Sequence, residues 1–238
     1  DFKRQVLLGF ANEKATEGMY YVADQKERGK PQAESSVKLQ YNFLIDGIEI
    51  SKIQEVAYKY NDPVTGEIFE KFDLIPAVST SITEKVQIFT KKKMAVSVKV
   101  KAGKDKVNGK LTLELPATWE VTPAEIPFSI ALKGAEETFT FTVTPPKDQD
   151  EITAQAVVLM DGRRFDMEQT YIRYPHIAKQ QVLQKAQAKF IKLDIKTGKQ
   201  KVGYIMGAGD EVATSLSQMG YDVQILNPAD ISEESLAK

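Results

Sequence analysis

Few side chains in this sequence are chemically reactive. His176 is the one histidine, and there is no cysteine. A catalytic zinc site ordinarily takes two or more nitrogen ligands, or one with several carboxylates. A single imidazole beside Pro175 reads instead as a structural or solvated residue. A thiolate nucleophile, a thiolate metal site and a disulfide are all excluded by the missing cysteine. A Ser-His-Asp triad would want a Gly-x-Ser-x-Gly elbow, and none occurs. No residue is therefore assigned to catalysis, to a metal or to a cofactor. Gly203, Gly207 and Gly209 surround an expected strand end and helix start, where backbone N–H groups can cradle an anion. The run GYIMGAGDEV departs from the dinucleotide fingerprint. Asp210 and Glu211 would repel a phosphate but suit the positive end of a helix. The run therefore reads as a tight strand-to-helix turn. Trp119 and the tyrosines Tyr20, Tyr21, Tyr58 and Tyr60 could stack on a sugar ring, and of these Trp119, Tyr58 and Tyr60 are the candidates for carbohydrate contact. The competing fate of a lone tryptophan in a β-sandwich is to anchor the core between its sheets. Carboxylates are scattered, and no pair stands out for glycoside hydrolysis.

These residues depend on a β framework centred on Val86 to Pro145. Val96, Val98 and Val100 alternate with Ala95, Ser97 and Lys99; Leu111, Leu113 and Leu115 repeat the pattern. Phe139, Phe141 and Val143 alternate with Thr138, Thr140 and Thr142. Period-two alternation predicts strands with one face buried. Turn residues at Gly103 to Gly109, Pro116, Pro123, Pro127 and Gly134 separate them. Short strands so spaced predict an antiparallel sandwich of immunoglobulin-like type.

On the N-terminal side, Val6, Leu7, Leu8 and Phe10 form one apolar run and Met19 to Val22 another, with NEKATEG as a loop between them. Ala23 to Ser36 is polar and reads as a surface loop. VKLQYNFLI alternates up to Asp46-Gly47, a primed-turn dipeptide, and IEISKIQEVAYKY continues the ladder. Asn61 to Gly66 marks a second turn. On the C-terminal side, AQAVVLM, Asp161-Gly162 and RRFDMEQTYIRY form a hairpin assigned to the central sandwich. FIKLDI is a strand-like piece of a connector. KVGYIMG and YDVQILN are continuous apolar strands of the kind covered on both faces. Between them AGDEVATSLSQMG has helical spacing and Gly220 as its stop. Strand, helix, strand is the start of a βαβ unit, and SEESLAK, with Ser232 as N-cap, begins another helix.

Composition narrows the classes of function. The 238 residues are 42% hydrophobic and 27% charged, with a formal net charge of -1. That balance lacks the basic footprint of a nucleic-acid binder or a binder of anionic membranes. The sequence has no apolar run of about 18 residues that would span a bilayer as a helix. It does not begin with Met and shows no signal-peptide h-region at residue 1, so it is expected to be a piece of a longer protein.

Three stretches carry a family resemblance. GMYYVADQKERGKP, VAYKYNDPVTGEIFEKFDLIPAV and QKVGYIMGAGDEVATSLSQMGYDVQILN resemble, in that order, the non-catalytic C-terminal half of long PIG-L (LmbE-like) deacetylases of Bacteroidetes-type bacteria. LELPATWEVTPAEIPFSI and ETFTFTVTPP are similar to a β-sandwich module attached to some α-galactosidases. The resemblance implies a zinc-dependent N-deacetylase domain ahead of these modules, with a His-Pro-Asp-Asp motif at its metal. That motif is absent here, so no catalytic residue carries over. It also implies that the last segment opens an amidotransferase-like α/β domain, whose cysteine nucleophile this chain lacks.

The expectation is thus a mainly β chain. Residues 1–82 and 83–175 form two immunoglobulin-like sandwiches, 176–200 a connector, and 201–238 an incomplete βαβ segment. The expected role is that of an accessory or scaffold region beside a deacetylase domain of the same polypeptide, exported to the periplasm or beyond. The alternative is a stand-alone carbohydrate-binding module; an enzyme in its own right is disfavoured by the single histidine and the missing cysteine. Glycan is a further possible partner. Self-association through 201–238 is another, because two parallel strands and a helix cannot cover both faces of their own sheet.

Overall fold

The computed structural model describes residues 13–16, 19–21, 25–29, 35–90, 92–177, 179–197, 200–207 and 209–232. The apolar run at Val6 to Phe10 and the helix expected within SEESLAK after Ser232 lie outside them. The chain divides into two compact units, one of residues 1–77 with 167–184 and one of 78–166 with 185–238.

In the first unit the strands stand in antiparallel pairs. β1 (Glu13–Thr16), inside the stretch that reads as a loop, pairs with β2 (Met19–Tyr21). β3 (Lys38–Ile45) pairs with β4 (Ile48–Glu55) through Asp46-Gly47. Both turn residues have positive φ, 49° and 79°. That is the primed geometry whose twist matches the strands it joins. Leu39, Tyr41, Phe43 and Ile45 share one face of this hairpin with Ile48 and Ile50 opposite. β5 (Ala57–Asp62) and β6 (Gly66–Lys71) form the next hairpin. The Asp62 carboxylate accepts from the N–H groups of Val64 and Thr65, both at 2.8 Å. Those two bonds hold the Asp62 carboxyl below its usual range. Val56 joins the hairpins: its N–H donates to the Val37 carbonyl at 3.0 Å, and its carbonyl accepts from the Phe72 N–H at 3.3 Å.

The second unit begins at β7 (Val78–Ile82). The sequence reading groups these residues with 1–82, but they pair with a later strand. There follow β8 (Val86–Phe89), β9 (Met94–Ala102), β10 (Val107–Glu114), β11 (Glu120–Thr122), β12 (Ile126–Ile130), β13 (Glu136–Thr144), β14 (Asp150–Met160) and β15 (Arg163–Phe165). The chain then contributes β16 (Met167–Ile172) and β17 (Gln180–Lys185), which pair with each other, and returns as β18 (Gln187–Lys192). One sheet runs β12-β10-β14-β18-β8, with β15 also on β14; the other runs β11-β13-β9-β7. The result is an antiparallel, two-sheet sandwich of immunoglobulin-like type, parallel only where β18 meets β8. Alternation fixes the inner faces. Val96, Val98 and Val100 on β9, Phe141 and Val143 on β13 and Leu111 on β10 are all fully buried.

Two further details of the sandwich depart from the sequence reading. The hairpin through Asp161-Gly162 keeps only β15 in the sandwich, and β16 leaves it. The strand-like connector residues are β18, inserted between β14 and β8. Local alternation does not encode such a partner choice, because β14, β18 and β8 lie far apart in sequence.

Residues 201–232 form β19 (Lys201–Ile205), α1 (Val212–Met219) and β20 (Asp222–Leu226), the two strands being parallel. Gly220 is left-handed at φ 105°, and its N–H and that of Tyr221 bond back to Ser217 and Leu216. This closes the helix as its glycine predicts. Ala213 is the buried residue of α1, while Val212 is exposed. Among the described residues the strands are not covered on both faces: Ile205 and Ile225 are about half exposed, at 47% and 54%. α1 alone has only enough surface to cover one side of the pair.

Gly109 on β10 sits where a Cβ would lie 2.8 Å from the Leu159 carbonyl oxygen and 3.2 Å from the Phe128 ring. Gly109→Ala is therefore expected to destabilise the sandwich by about 1–3 kcal/mol through overpacking. A thermal melt of the variant matching the parent contradicts this packing.

Candidate functional site

Trp119 precedes β11 of one sheet and packs on the other. Its ring lies edge-on to Phe89 of β8, with centroids 5.0 Å apart, and 6.1 Å from Phe190 of β18. Phe89 and Phe190 close the cluster at 5.1 Å. The indole Nε1–H donates to Asp150 Oδ2 of β14 at 2.8 Å, so its polar edge is satisfied as well. Trp119 is 4% exposed. Its faces are taken up by the core and offer nothing to a sugar, which removes it from the carbohydrate candidates.

Tyr58 and Tyr60 are different. Both project from β5 onto the face shared with Glu70 and Ile68 of β6. Their rings stack at 5.5 Å and 28°, and Tyr58 is 65% exposed. Desolvation, and then the charges of Glu70 and Asp62, push the Tyr60 hydroxyl above the usual tyrosine value. Lys179 lies 3.7 Å from Glu70 and 4.7 Å from the centre of the Tyr171 ring. An open aromatic face flanked by a carboxylate can stack on the apolar side of a sugar and accept from its hydroxyls. The structure thus brings Tyr58 and Tyr60 together and places Trp119 in the other unit.

His176 is exposed and stacks on Tyr174 at 5.8 Å. Among the described residues, no group of three or more His, Asp or Glu side chains is placed to hold a metal. The glycine-rich turn cradles a carboxylate rather than an external anion. Asp210 accepts from Gly207 N–H at 3.2 Å, from Tyr204 Oη–H at 2.8 Å and from Val212 N–H at 3.4 Å. A Cβ on Gly207 would lie 2.7 Å from the same carboxylate, so glycine is what lets Asp210 fold in. Donating to Asp210 raises the pKa of the Tyr204 hydroxyl, with desolvation adding to it.

Sequence reading missed Asp166, where the chain leaves the sandwich. Its carboxylate accepts from Lys185 Nζ at 2.7 Å and from Arg164 Nε at 3.3 Å. Its backbone carbonyl accepts from Ala186 N–H at 2.9 Å and Gln155 Nε2 at 3.2 Å. Arg164 in turn makes a bidentate pair with Glu114. Residues 166 and 185, the points where the chain exits and re-enters the second unit, are thereby tied together. Burial pushes the Asp166 carboxyl up, but Lys185 and then Arg164 outweigh it and hold it below its usual range. No local signal marks this residue, because Glu114 and Lys185 are distant in sequence.

No protein-family model and no curated protein matches this chain. Solved structures with some likeness include the periplasmic chaperone SfaE, at 12% identity over 48% of this chain and 57% of that one, with a TM-score of 0.29. WR4, an MSP family member of C. elegans, is 10% identical over 48% of this chain and 97% of its own, with a TM-score of 0.25. A family 123 glycoside hydrolase from Clostridium perfringens, described for glycolipid glycan hydrolysis, is 8% identical over 54% of this chain and 30% of that one, with a TM-score of 0.30. Scores this low assign neither family nor function.

Trp119→Ala should cost about 3–5 kcal/mol, as large-to-small aromatic core changes do, and Trp119→Phe less. Chemical denaturation measures both, and a normal midpoint for Trp119→Ala overturns the anchor role. A second expectation concerns acid. The Asp166 carboxyl is depressed on folding, so its contribution is present above the unfolded carboxylate pKa, roughly 4. That contribution is lost as pH falls through the lower folded value. Melting temperatures followed from pH 7 downward should show Asp166→Asn less stable than the parent at neutrality, with the gap closing in acid. A gap independent of pH contradicts the ion-pair account.

Proposed function

We propose that this chain is a non-catalytic accessory region of a multidomain bacterial N-deacetylase that acts on N-acetylated sugars. In this reading it orients or contacts substrate beside the deacetylase domain of the same polypeptide. The family resemblance is the source of the deacetylase assignment and of an exported, periplasmic or extracellular, location. The observation that carries the scaffold role is a sandwich that commits its aromatic anchor to its own core and ties its chain crossings with ion pairs. In the chain, the resembling stretches of β5–β6 and β19–α1–β20 flank that sandwich.

A second reading, a carbohydrate-binding module, is favoured by one observation: the stacked Tyr58 and Tyr60, with Tyr58 open beside Glu70. Self-association through residues 201–238 is a further partner proposal, supported by the exposure of Ile205, Met206 and Ile225.

Purified chain, dialysed and assayed with an N-acetylated sugar, is expected to retain no stoichiometric zinc and to show no turnover. Zinc near one equivalent together with deacetylation contradicts the accessory reading. A glycan array separates the two readings. Specific retention abolished by Tyr58→Ala, with the melting temperature unchanged, establishes the binding module.

A further inference from the structure

The edge of the larger sheet is closed by an unusual group. Among the described residues, β8 is the terminal strand of its sheet, and β18 is its strand partner. Lys189 N–H donates to the Lys85 carbonyl at 2.8 Å, and Leu193 N–H donates to the Phe89 carbonyl at 3.3 Å. Backbone groups of a strand alternate sides, so 85 and 89 face β18 and residue 88 faces outward. An outward N–H on an edge strand is an open invitation to another strand. Here it is occupied. The Oε1 of Gln218, in the last turn of α1, accepts from Ile88 N–H at 2.9 Å. The Nε2 of the same carboxamide donates to the Glu84 carboxylate. The backbone carbonyl of Gln218 accepts from Thr90 Oγ at 2.7 Å. One helical residue thus meets the strand edge at 84, 88 and 90, with its carboxamide standing where a neighbouring peptide group would be.

We propose that Gln218 is a strand mimic: its carboxamide caps the hydrogen-bonding edge of β8 and holds the strand–helix–strand segment on the sandwich. Gln218 is the residue through which docking of this segment and protection of the sheet edge are coupled. Releasing α1 opens the edge, and filling the edge by other means releases α1. The mimic also has a polarity. Oε1 must accept and Nε2 must donate, because Ile88 offers a donor and Glu84 an acceptor. Gln218→Glu would keep the first bond and set two carboxylates against each other in the second.

Amide hydrogen exchange on the intact chain tests this, with emission from buried Trp119 reporting that the sandwich stays folded. In Gln218→Ala the Ile88 amide should exchange at least about tenfold faster, while core amides such as Val98 are unchanged, since local opening is read separately from global unfolding. Gln218→Glu should open the same site. Adding Glu84→Gln to Gln218→Glu reverses donor and acceptor, and it should restore Ile88 protection to within about twofold of the parent. Unchanged Ile88 exchange in Gln218→Ala overturns the proposal. So does failure of Glu84→Gln to restore protection, because a contact that merely packs is indifferent to the exchange of donor and acceptor.

Discussion

The contact on which the rest depends is the meeting of Phe89, Trp119 and Phe190. These three rings come from β8, from the residue before β11 and from β18. They join the two sheets at the end where the larger one would otherwise fray. Phe89 and Phe190 sit on the pair of strands that is parallel, in a sandwich whose other ladders are antiparallel. A parallel pair cannot be closed by a tight turn and must be brought together from far along the chain. Burial of the aromatic cluster is what rewards that long closure. α1 then leans on β8, so the placement of the C-terminal segment on the sandwich follows from the same cluster.

What was legible in the sequence was local. Period-two runs marked β9, β10 and β13 and which of their residues face inward, since a half-buried strand has no other way to satisfy both sides. Asp46-Gly47 and Asp161-Gly162 named their turns because all four residues adopt the positive φ that such pairs tolerate. Gly220 named the helix stop for the same reason. What was not legible was partnership. Val78–Ile82 falls within the stretch read as the first sandwich yet pairs with β9. FIKLDI looks like a connector yet supplies a strand between β14 and β8. Both choices are settled by contacts across the whole sandwich.

The candidate sites divide in the same way. Trp119 was ambiguous because an indole serves equally well as anchor or platform; its neighbours, not its type, decide for the core. Tyr58 and Tyr60, two apart on one strand, were bound to share a face, and they stack as that spacing allows. Asp210 was recognisable as unfriendly to a phosphate, but its closure onto Gly207 and Tyr204 required the fold. Asp166 was invisible, since a charge node assembled from residues 114, 164, 166 and 185 leaves no motif. The scaffold role proposed for this chain rests on features of this second kind: a shared core, a tied crossing and a capped edge.

The claim most exposed to test is that residues 187–192 are an integral strand of the sandwich, locked there by Phe190. Native-state hydrogen exchange on the intact chain measures it directly. The account predicts that the amides of Lys189 and Ile191 are released only with global unfolding, together with those of Val96 and Val98. Exchange of Lys189 and Ile191 many orders of magnitude faster than that of Val98, at the rate of an open connector, would contradict it.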